Sequence, residues 1–303
     1  MAPSVTGKHA VITGAGSGIC LAFARLLLQR GCSVMIGDLQ LQPEAEELLK
    51  QYPYPSQDGK PSALFRRTDV VSWPQLSALW RAALEAFPTV DILVPGAGLF
   101  DPPCSSFWAP PKTETNPDTT SRDPADADPG HYTVFDVNLV SPIRMSQLAI
   151  GHWTKTKQEG CLVHIGSVAG YTAEASAPLY YASKHGLHGF VRALGKLKGS
   201  LGIRVGAVAP AAVKTAIWDK DSARADTVLA NCSWVPVEKI AEAMFEIAVN
   251  EEYGDGTVLE VTVRGPRVVD PFNGQGVLDI GLPGLAEHEK QLLARLKSDG
   301  LSV

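Results

Sequence analysis

The chain has 303 residues, of which 45% are hydrophobic and 19% are charged, and this composition predicts a globular protein with a sizeable core. The formal net charge of -5 excludes the basic surface that attracts nucleic acids or anionic membranes, so we expect small-molecule partners. Five widely spaced cysteines favour reduced thiols over a disulfide framework or a zinc site. The N-terminus lacks a secretory pattern and no apolar stretch is long enough to span a bilayer, so we expect a cytoplasmic protein.

Short β-branched runs alternate with longer helical patterns, as in a parallel sheet covered by helices on both faces. The predicted strands are residues 9–13, 33–37, 63–66, 91–95, 161–167, 204–209 and 257–263. The predicted helices are residues 19–29, 73–87, 131–152, 178–199 and 236–250. These elements predict an α/β fold, a Rossmann-type doubly wound sheet of seven parallel strands, in a single domain over residues 1–303.

Two segments do not follow this alternation. Residues 99–130 are rich in Pro and Asp and lack periodicity, so we predict a long surface insertion that is either a functional lid or disordered. Residues 265–303 form a C-terminal extension in which 285–296 has a helical pattern. That helix is expected to cover either the substrate side or an oligomer interface.

A glycine-rich turn follows the first strand and opens the first helix. Backbone amides there, together with the helix N-terminus, suit a dinucleotide pyrophosphate, and glycine permits the close approach. A plain strand-to-helix turn without a ligand is the alternative interpretation. The cofactor-binding residues predicted from this turn are Gly14, Gly16, Ser17, Gly18 and Ile19.

Asp38 ends the second strand about twenty residues after this turn. A carboxylate there accepts hydrogen bonds from both hydroxyls of the adenosine ribose and repels a 2′-phosphate. Asp38 and Leu39, which follows it, are therefore predicted cofactor-binding residues. Neither Ser17 nor Leu39 is basic, so the sequence predicts NAD as cofactor, with an NADPH-dependent ketoreductase as the competing interpretation. A solvated aspartate that begins a loop is the alternative without a ligand.

Ser167, Tyr180 and Lys184 form the candidate catalytic set. Tyr180 and Lys184 are four residues apart, on one face of a predicted helix, and a nearby ammonium is expected to lower the pKa of the phenol. Tyr180 would then exchange a proton with the substrate, while Ser167 would hydrogen-bond the substrate oxygen. In the alternative interpretation Ser167 is only a turn residue.

Other titratable residues near this set have simpler interpretations. Tyr181 adjoins Tyr180 but has no lysine four residues later, so we expect packing or substrate contact. His185 and His188 have helical spacing without a third ligand, which favours ordinary helix residues over a metal site. Cys161 and His164 are expected in the core.

Over roughly residues 5–265 the chain resembles the short-chain dehydrogenase/reductase family. The glycine-rich turn, Asp38 and the Ser167, Tyr180 and Lys184 set all match that family's motifs in order. The resemblance implies that Asn138, in FDVNLVSP, is a fourth catalytic residue that holds a water in a proton relay. It also implies further cofactor contacts, at Asp69, Val70, Gly96, Ala97, Gly98, Pro210, Val213 and Thr215, in addition to Tyr180 and Lys184.

Three positions depart from the family pattern. Cys20 replaces the third glycine of the turn, which serves helix packing more than phosphate contact. Pro95 replaces an asparagine that ties neighbouring strands together, and Ala211 replaces a glycine after Pro210. These changes are expected to affect cofactor affinity without touching the catalytic set.

The sequence therefore predicts an NAD-dependent oxidoreductase that interconverts a secondary alcohol and a ketone, mainly in the oxidative direction. A dinucleotide-binding protein with little turnover is the alternative from another functional class. The substrate is expected to be bulky and hydrophobic, and the resemblance implies a homodimer or homotetramer. The aromatic and apolar residues expected near the substrate are Phe100, Phe107, Trp108, Tyr171, Ile217, Trp218 and Trp234.

Overall fold

The architecture is an α/β sandwich built on one sheet. The computed structural model describes residues 4–56, 59–100, 104–114, 116–123, 125, 130–215, 217, 232–271 and 285–301. Its strands are β1 (His9–Thr13), β2 (Ser33–Asp38), β3 (Ala63–Arg67), β4 (Ile92–Pro95), β5 (Gly160–Ile165), β6 (Ile203–Pro210), β7 (Asp255–Thr262) and β8 (Gly265–Val268). They lie in the order β3-β2-β1-β4-β5-β6-β7-β8, and the first seven are parallel.

The expected count of seven strands is corrected to eight, because β8 pairs antiparallel with β7. The residues of β8 include glycine and proline, which read as a turn in the sequence. Glu260 and Arg267 are opposite each other across the hairpin, and the guanidinium Nε of Arg267 donates to Glu260 Oε1 at 2.6 Å. This long-range pairing, rather than local propensity, makes the segment a strand.

Helices cover both faces of the sheet. They are α1 (Gly18–Gln29), α2 (Pro43–Gln51), α3 (Trp73–Ala86), α4 (Thr133–Phe135), α5 (Ser141–Thr156), α6 (Pro178–Ala193), α7 (Leu197–Leu201), α8 (Val237–Val249) and α9 (Leu285–Asp299). One hydrophobic cluster lies between the sheet and α1, α2 and α8, and the other between the sheet and α3, α5 and α6. Alternate strand residues such as Val11 and Ile12 enter opposite clusters, as expected for a sheet buried on both faces.

Three helices differ from the sequence prediction. α2 was missed. The helix predicted over 131–152 is interrupted by a π-helical turn, Asp136–Val140, and α6 ends before Gly195. A Cβ at Gly195 would overlap the carbonyl oxygen of Asp255, so β7 approaches the backbone closely just after the helix ends.

The C-terminal helix lies at the amino-terminal edge of the parallel strands. Its predicted helical pattern is present, but α9 packs against α7 and the C-terminal end of α5. The backbone N–H of Leu301 donates to Thr154 Oγ1 at 2.9 Å, and Lys157 Nζ donates to the Ser298 carbonyl at 3.0 Å. The helix is therefore remote from the carboxyl ends of the strands and does not cover the substrate side. No helix in the described ranges has the length and apolar character to cross a membrane.

Candidate active site

The glycine-rich turn forms a cradle at the carboxyl end of β1. Gly14 has φ of +76°, and a Cβ there would lie 2.7 Å from the Ala97 backbone. A Cβ at Gly16 would overlap the carbonyl oxygen of Gln40. Only glycine fits either position, because the backbone after β4 and the backbone after β2 pack directly against the turn.

The N-terminus of α1 faces this cradle. Ser17 is extended, and its side chain makes no capping hydrogen bond to any described residue, so the first amides of the twelve-residue helix are available to an anion. Gly18 has φ of +60°, and a Cβ there would lie 3.3 Å from Thr215 Cγ2. The turn and the segment after β6 therefore meet across the cleft, as expected if both hold one dinucleotide.

Asp38 is built into the cradle rather than left as a solvated loop residue. The backbone N–H of Gly16 donates to its Oδ2 at 2.8 Å, and that of Leu39 donates to Oδ1 at 2.7 Å. These two bonds orient the carboxylate at the end of β2. Arg67 on β3 is the Cα partner of Asp38 on β2, and its side chain is exposed. The sequence did not single out this arginine.

The loop after β4 is tied to β1 by the side chain of Thr13, a role that the sequence did not predict for this residue. Thr13 Oγ1 accepts hydrogen bonds from the backbone N–H groups of Gly96 at 3.1 Å and Ala97 at 3.5 Å. It thereby provides a side-chain connection between strands beside Pro95, whose Cα partner is Thr13. A Cβ at Gly96 would overlap Cys20 Sγ, so the thiol fills the space under this loop.

Asn138 lies in the π-helical turn and is almost fully buried. Its Oδ1 accepts the Leu99 N–H at 2.8 Å, and its Nδ2 donates to the Leu99 carbonyl at 2.9 Å and to Ser183 Oγ at 3.2 Å. The side-chain amide thus clamps the loop after β4 onto α6. Its proposed part in a water relay stays a prediction.

The catalytic candidates converge at the end of β5. Ser167 caps a 3₁₀ turn (Val168–Gly170), and its Oγ accepts the Ala169 N–H at 3.1 Å. The side chains of Ser167 and Tyr180 are hydrogen-bonded to each other. Lys184 Nζ lies 5.6 Å from the centre of the Tyr180 ring and donates to the Ile165 carbonyl at 2.8 Å. Ile165 is its one hydrogen-bond acceptor among the described residues, which leaves two N–H groups for a ligand.

The electrostatics of Tyr180 differ from the sequence-based expectation. Burial raises the pKa of Tyr180 to about 12, although its hydrogen bond with Ser167 acts in the opposite direction. Burial also lowers the pKa of Lys184 to about 8. The expected lowering of the phenol pKa by Lys184 is therefore wrong for this structure, which holds Tyr180 protonated at neutral pH.

The remaining predicted cofactor residues lie along the same cleft. Asp69 and Val70 follow the edge strand β3, where Asp69 Oδ1 accepts the Val71 N–H at 3.1 Å. Gly98 adjoins Asn138, since a Cβ there would lie 3.6 Å from Asn138 Oδ1. Pro210 ends β6, and Val213 pairs with Val235. These positions trace a path from the edge of the sheet to Tyr180 that suits an extended dinucleotide.

The comparison with known families decides the identity. The family model described as short chain dehydrogenase matches residues 8–226, which is most of the chain. This chain is a short-chain dehydrogenase/reductase. It is accordingly an oxidoreductase that acts on CH–OH groups, and its family binds a nicotinamide dinucleotide.

Two named enzymes and one solved structure illustrate what this short-chain dehydrogenase/reductase is similar to. Short-chain dehydrogenase/reductase prx4 of Penicillium roqueforti is 28% identical over 281 residues, which are 92% of this chain and 72% of that protein. The NAD(+) enzyme 15-hydroxyprostaglandin dehydrogenase of Homo sapiens is 32% identical over 219 residues, 70% of this chain and 71% of that one. A structure of 3-ketoacyl-(acyl-carrier-protein) reductase from Brucella melitensis, complexed with NADH, shares the fold with a TM-score of 0.65 at 24% identity. It covers 85% of this chain and 98% of that one.

Two of the aromatic residues expected near the substrate contact Tyr180 or the segment that precedes it. The rings of Phe100 and Tyr180 pack edge to face, with centres 4.8 Å apart. Trp108, in the insertion, donates from Nε1 to the Ala175 carbonyl at 2.7 Å, so the two segments that flank Tyr180 touch. Tyr171 turns away, because its hydroxyl donates to Glu260. Trp218 lies outside the described residues.

Proposed function

We propose that this short-chain dehydrogenase/reductase uses NAD to interconvert a bulky, hydrophobic secondary alcohol and its ketone, mainly in the oxidative direction. The observation that carries the proposal is the convergence of Ser167, Tyr180 and Lys184 beside the glycine cradle. A hydroxyl donor, a proton-exchanging phenol and a neighbouring ammonium are the groups that carbonyl and alcohol chemistry requires.

Each side chain has a distinct part in this mechanism. Ser167 donates a hydrogen bond to the substrate oxygen and stabilises the charge that develops on it. Tyr180 exchanges a proton with the same oxygen. The two free N–H groups of Lys184 would hold a ribose hydroxyl. When bound, the nicotinamide ring supplies the hydride acceptor or donor, and Gly14, Gly16 and the α1 N-terminus would hold the pyrophosphate.

A Tyr180→Phe variant tests the mechanism. It removes the exchanging proton but keeps the buried ring, so turnover should fall by at least about a hundredfold, while NADH binding, followed by fluorescence, stays within about twofold of the parent. Tyr181→Phe is the matched control and should keep parental turnover. If Tyr180→Phe oxidises substrate as fast as the parent, the mechanism is wrong. If the parent binds NADH but turns over no alcohol or ketone, the chain is a dinucleotide-binding protein instead.

The preference for NAD rests on the placement of Asp38, whose carboxylate would meet a 2′-phosphate with like charge. The NAD(+) specified in the name of the human relative supports it. NADPH is the second candidate, because the exposed Arg67 lies beside Asp38 and offers a 2′-phosphate a cation.

Dissociation constants for NADH and NADPH decide between these cofactors. Asp38→Ala should weaken NADH binding by about 1 to 3 kcal/mol, because hydrogen bonds to a charged group are lost, and should bring the two affinities closer. Arg67→Ala should leave NADH binding unchanged. Tighter binding of NADPH by the parent, lost in Arg67→Ala, would establish the ketoreductase alternative.

The rings near Tyr180 support the proposal of an apolar substrate. Phe100 contacts the phenol directly, and Trp108 holds the insertion against the segment before α6. The hydroxyprostaglandin and hydroxycyclohexanecarboxylate dehydrogenases among the relatives act, by their names, on hydroxylated carbon skeletons. A screen of lipophilic secondary alcohols with NAD, followed by NADH absorbance, should find turnover, and turnover confined to small polar sugars would contradict the proposal.

Two further expectations stay proposals. A cytoplasmic location would be checked by imaging a tagged chain in cells. A homodimer or homotetramer would be checked by analytical ultracentrifugation, where a single species with the mass of one chain would contradict it.

A further inference from the structure

His188 fills a cavity directly behind the loop that carries Ser167. It lies on α6 one helical turn after Lys184 and has no exposed surface. A Cβ at Gly166 would overlap His188 Nε2, and a Cβ at Gly170 would overlap His188 Cε1. The loop therefore wraps around the imidazole, with glycines on both sides where any larger residue would collide with the ring.

The imidazole also contacts the backbone of the catalytic candidate itself. The Ser167 N–H donates to His188 Nε2 at 3.4 Å. Because Nε2 accepts, the ring proton belongs on Nδ1 in this arrangement. Burial lowers the pKa of His188 to about 3, and Lys184, Arg192 and His185 act in the same direction, so the ring is neutral and Nε2 keeps its lone pair at neutral pH.

The ring of Tyr171 stacks on the imidazole of His188. The two rings are stacked at 26° with centres 5.9 Å apart. The Tyr171 hydroxyl donates to Glu260 on β7, which also accepts two hydrogen bonds from Arg267 on β8 at 2.6 and 2.8 Å. A continuous set of contacts thus runs from the terminal hairpin of the sheet through Tyr171 and His188 to the backbone of Ser167.

We infer that His188 is a positioning residue, which acts through Ser167 by fixing the loop over 166–170 so that the serine hydroxyl meets Tyr180. This inference rests on the proposed function of Ser167 and Tyr180. Ser167 has its own side-chain bond to the Ala169 N–H, which shapes the 3₁₀ turn, but that bond lies within the loop. Lys184 holds the Ile165 carbonyl just before the loop, and His188 adds a bond to the backbone of Ser167 itself, from the same helix that carries Tyr180.

His188→Phe and His188→Gln test the inference. Phenylalanine fills the space without an acceptor, so kcat should fall about tenfold to a hundredfold through displacement of Ser167, while the dissociation constant of NADH stays parental. Glutamine keeps an acceptor oxygen at similar reach and should recover most of the lost kcat. His164→Phe is the matched control, because His164 is equally buried, on β5 against α6, and neither of its ring nitrogens has a partner among the described residues. It should keep parental kcat.

A double-mutant cycle separates this inference from the proposed function. If His188 acts through Ser167, adding His188→Phe to Ser167→Ala should cause little further loss, whereas independent effects would multiply. A parental kcat in His188→Phe, or fully multiplied losses, would overturn the inference while leaving the proposed function intact. Parental turnover in Ser167→Ala would overturn the proposed function itself.

A variant on the loop side covers the case in which His188→Phe fails to fold. Gly170→Ala places a methyl group against the imidazole and should lower kcat in the same way, with NADH binding unchanged. If Gly170→Ala folds with the parental melting temperature and the parental kcat, the positioning role is excluded.

Discussion

At the scale of single residues, Tyr180 is held as a neutral phenol because burial raises its pKa to about 12. A neutral phenol is ready to donate a proton to a ketone, whereas alcohol oxidation requires it to lose that proton first. Below the pKa, the deprotonated fraction grows with pH. We therefore expect kcat/KM for oxidation to rise between pH 6 and 7, where Lys184, with a pKa of about 8, is still largely charged.

Initial rates in both directions across this range check that expectation. Ketone reduction should change far less, because the phenol is already protonated. An oxidation rate that falls with rising pH would show that another group controls the proton.

Gly16 is the residue at which the cradle tolerates least change. A Cβ there would overlap the Gln40 carbonyl oxygen and lie 2.8 Å from Asp38 Oδ2. Gly16→Ala should therefore displace both the turn and the carboxylate, and weaken NADH binding by about tenfold or more, which is 1.4 kcal/mol or more. Gly199→Ala on α7 is the control, because no atom of the described part of the chain lies within 4 Å of its Cβ position. Fluorescence titration with NADH compares the two, and equal affinities would contradict the role of the cradle.

At the scale of elements, the π-helical turn before α5 places Asn138 where its amide connects two other elements. The amide makes three hydrogen bonds, two to the backbone of Leu99 and one to Ser183 on α6. Asn138→Ala leaves buried backbone groups of Leu99 without these partners, so the free energy of unfolding should fall by about 1 to 3 kcal/mol. Urea unfolding measures the loss. Asn138→Asp keeps the acceptor for the Leu99 N–H but sets a buried carboxylate oxygen against the Leu99 carbonyl, so it should lose at least as much.

The helices and strands also show which parts of the fold can be predicted from local sequence patterns. The parallel strands and most helices were predictable, because their apolar periodicity is strong and buried on both faces of the sheet. α2 was missed because it is short and buries only Ala45 and Leu48. β8 was missed because its strand conformation comes from pairing with β7.

At the scale of the whole molecule, two buried histidines link stability to pH. Burial lowers the pKa values of His164 and His188 to about 3, and Lys184 acts in the same direction on both. Unfolding returns each to an ordinary value near 6.5, so between pH 6.5 and 3 the unfolded chain binds more protons than the folded one. The free energy of unfolding should therefore fall as the pH is lowered through this window.

His164→Phe isolates one of these contributions. It should reduce the slope of unfolding free energy against pH by about 1.4 kcal/mol per pH unit in that window. It should also raise stability at pH 7, because a buried imidazole without described partners is replaced by an apolar ring. Urea unfolding at pH 7, 6 and 5 measures both effects, and parallel curves for parent and variant would show that His164 does not titrate on unfolding.

The sequence by itself determined the family, the parallel sheet and the candidate site residues, because motif spacing and buried periodicity are local properties of the chain. The tertiary structure alone decided the pKa of Tyr180, the engagement of the Asn138 amide and the burial of His188 behind Ser167. Each of these depends on which distant segments meet: β5 with α6, the loop after β4 with the π-helical turn, and β7 with the segment before α6. Desolvation and hydrogen-bond partners are set by such contacts, and spacing along the chain does not encode them.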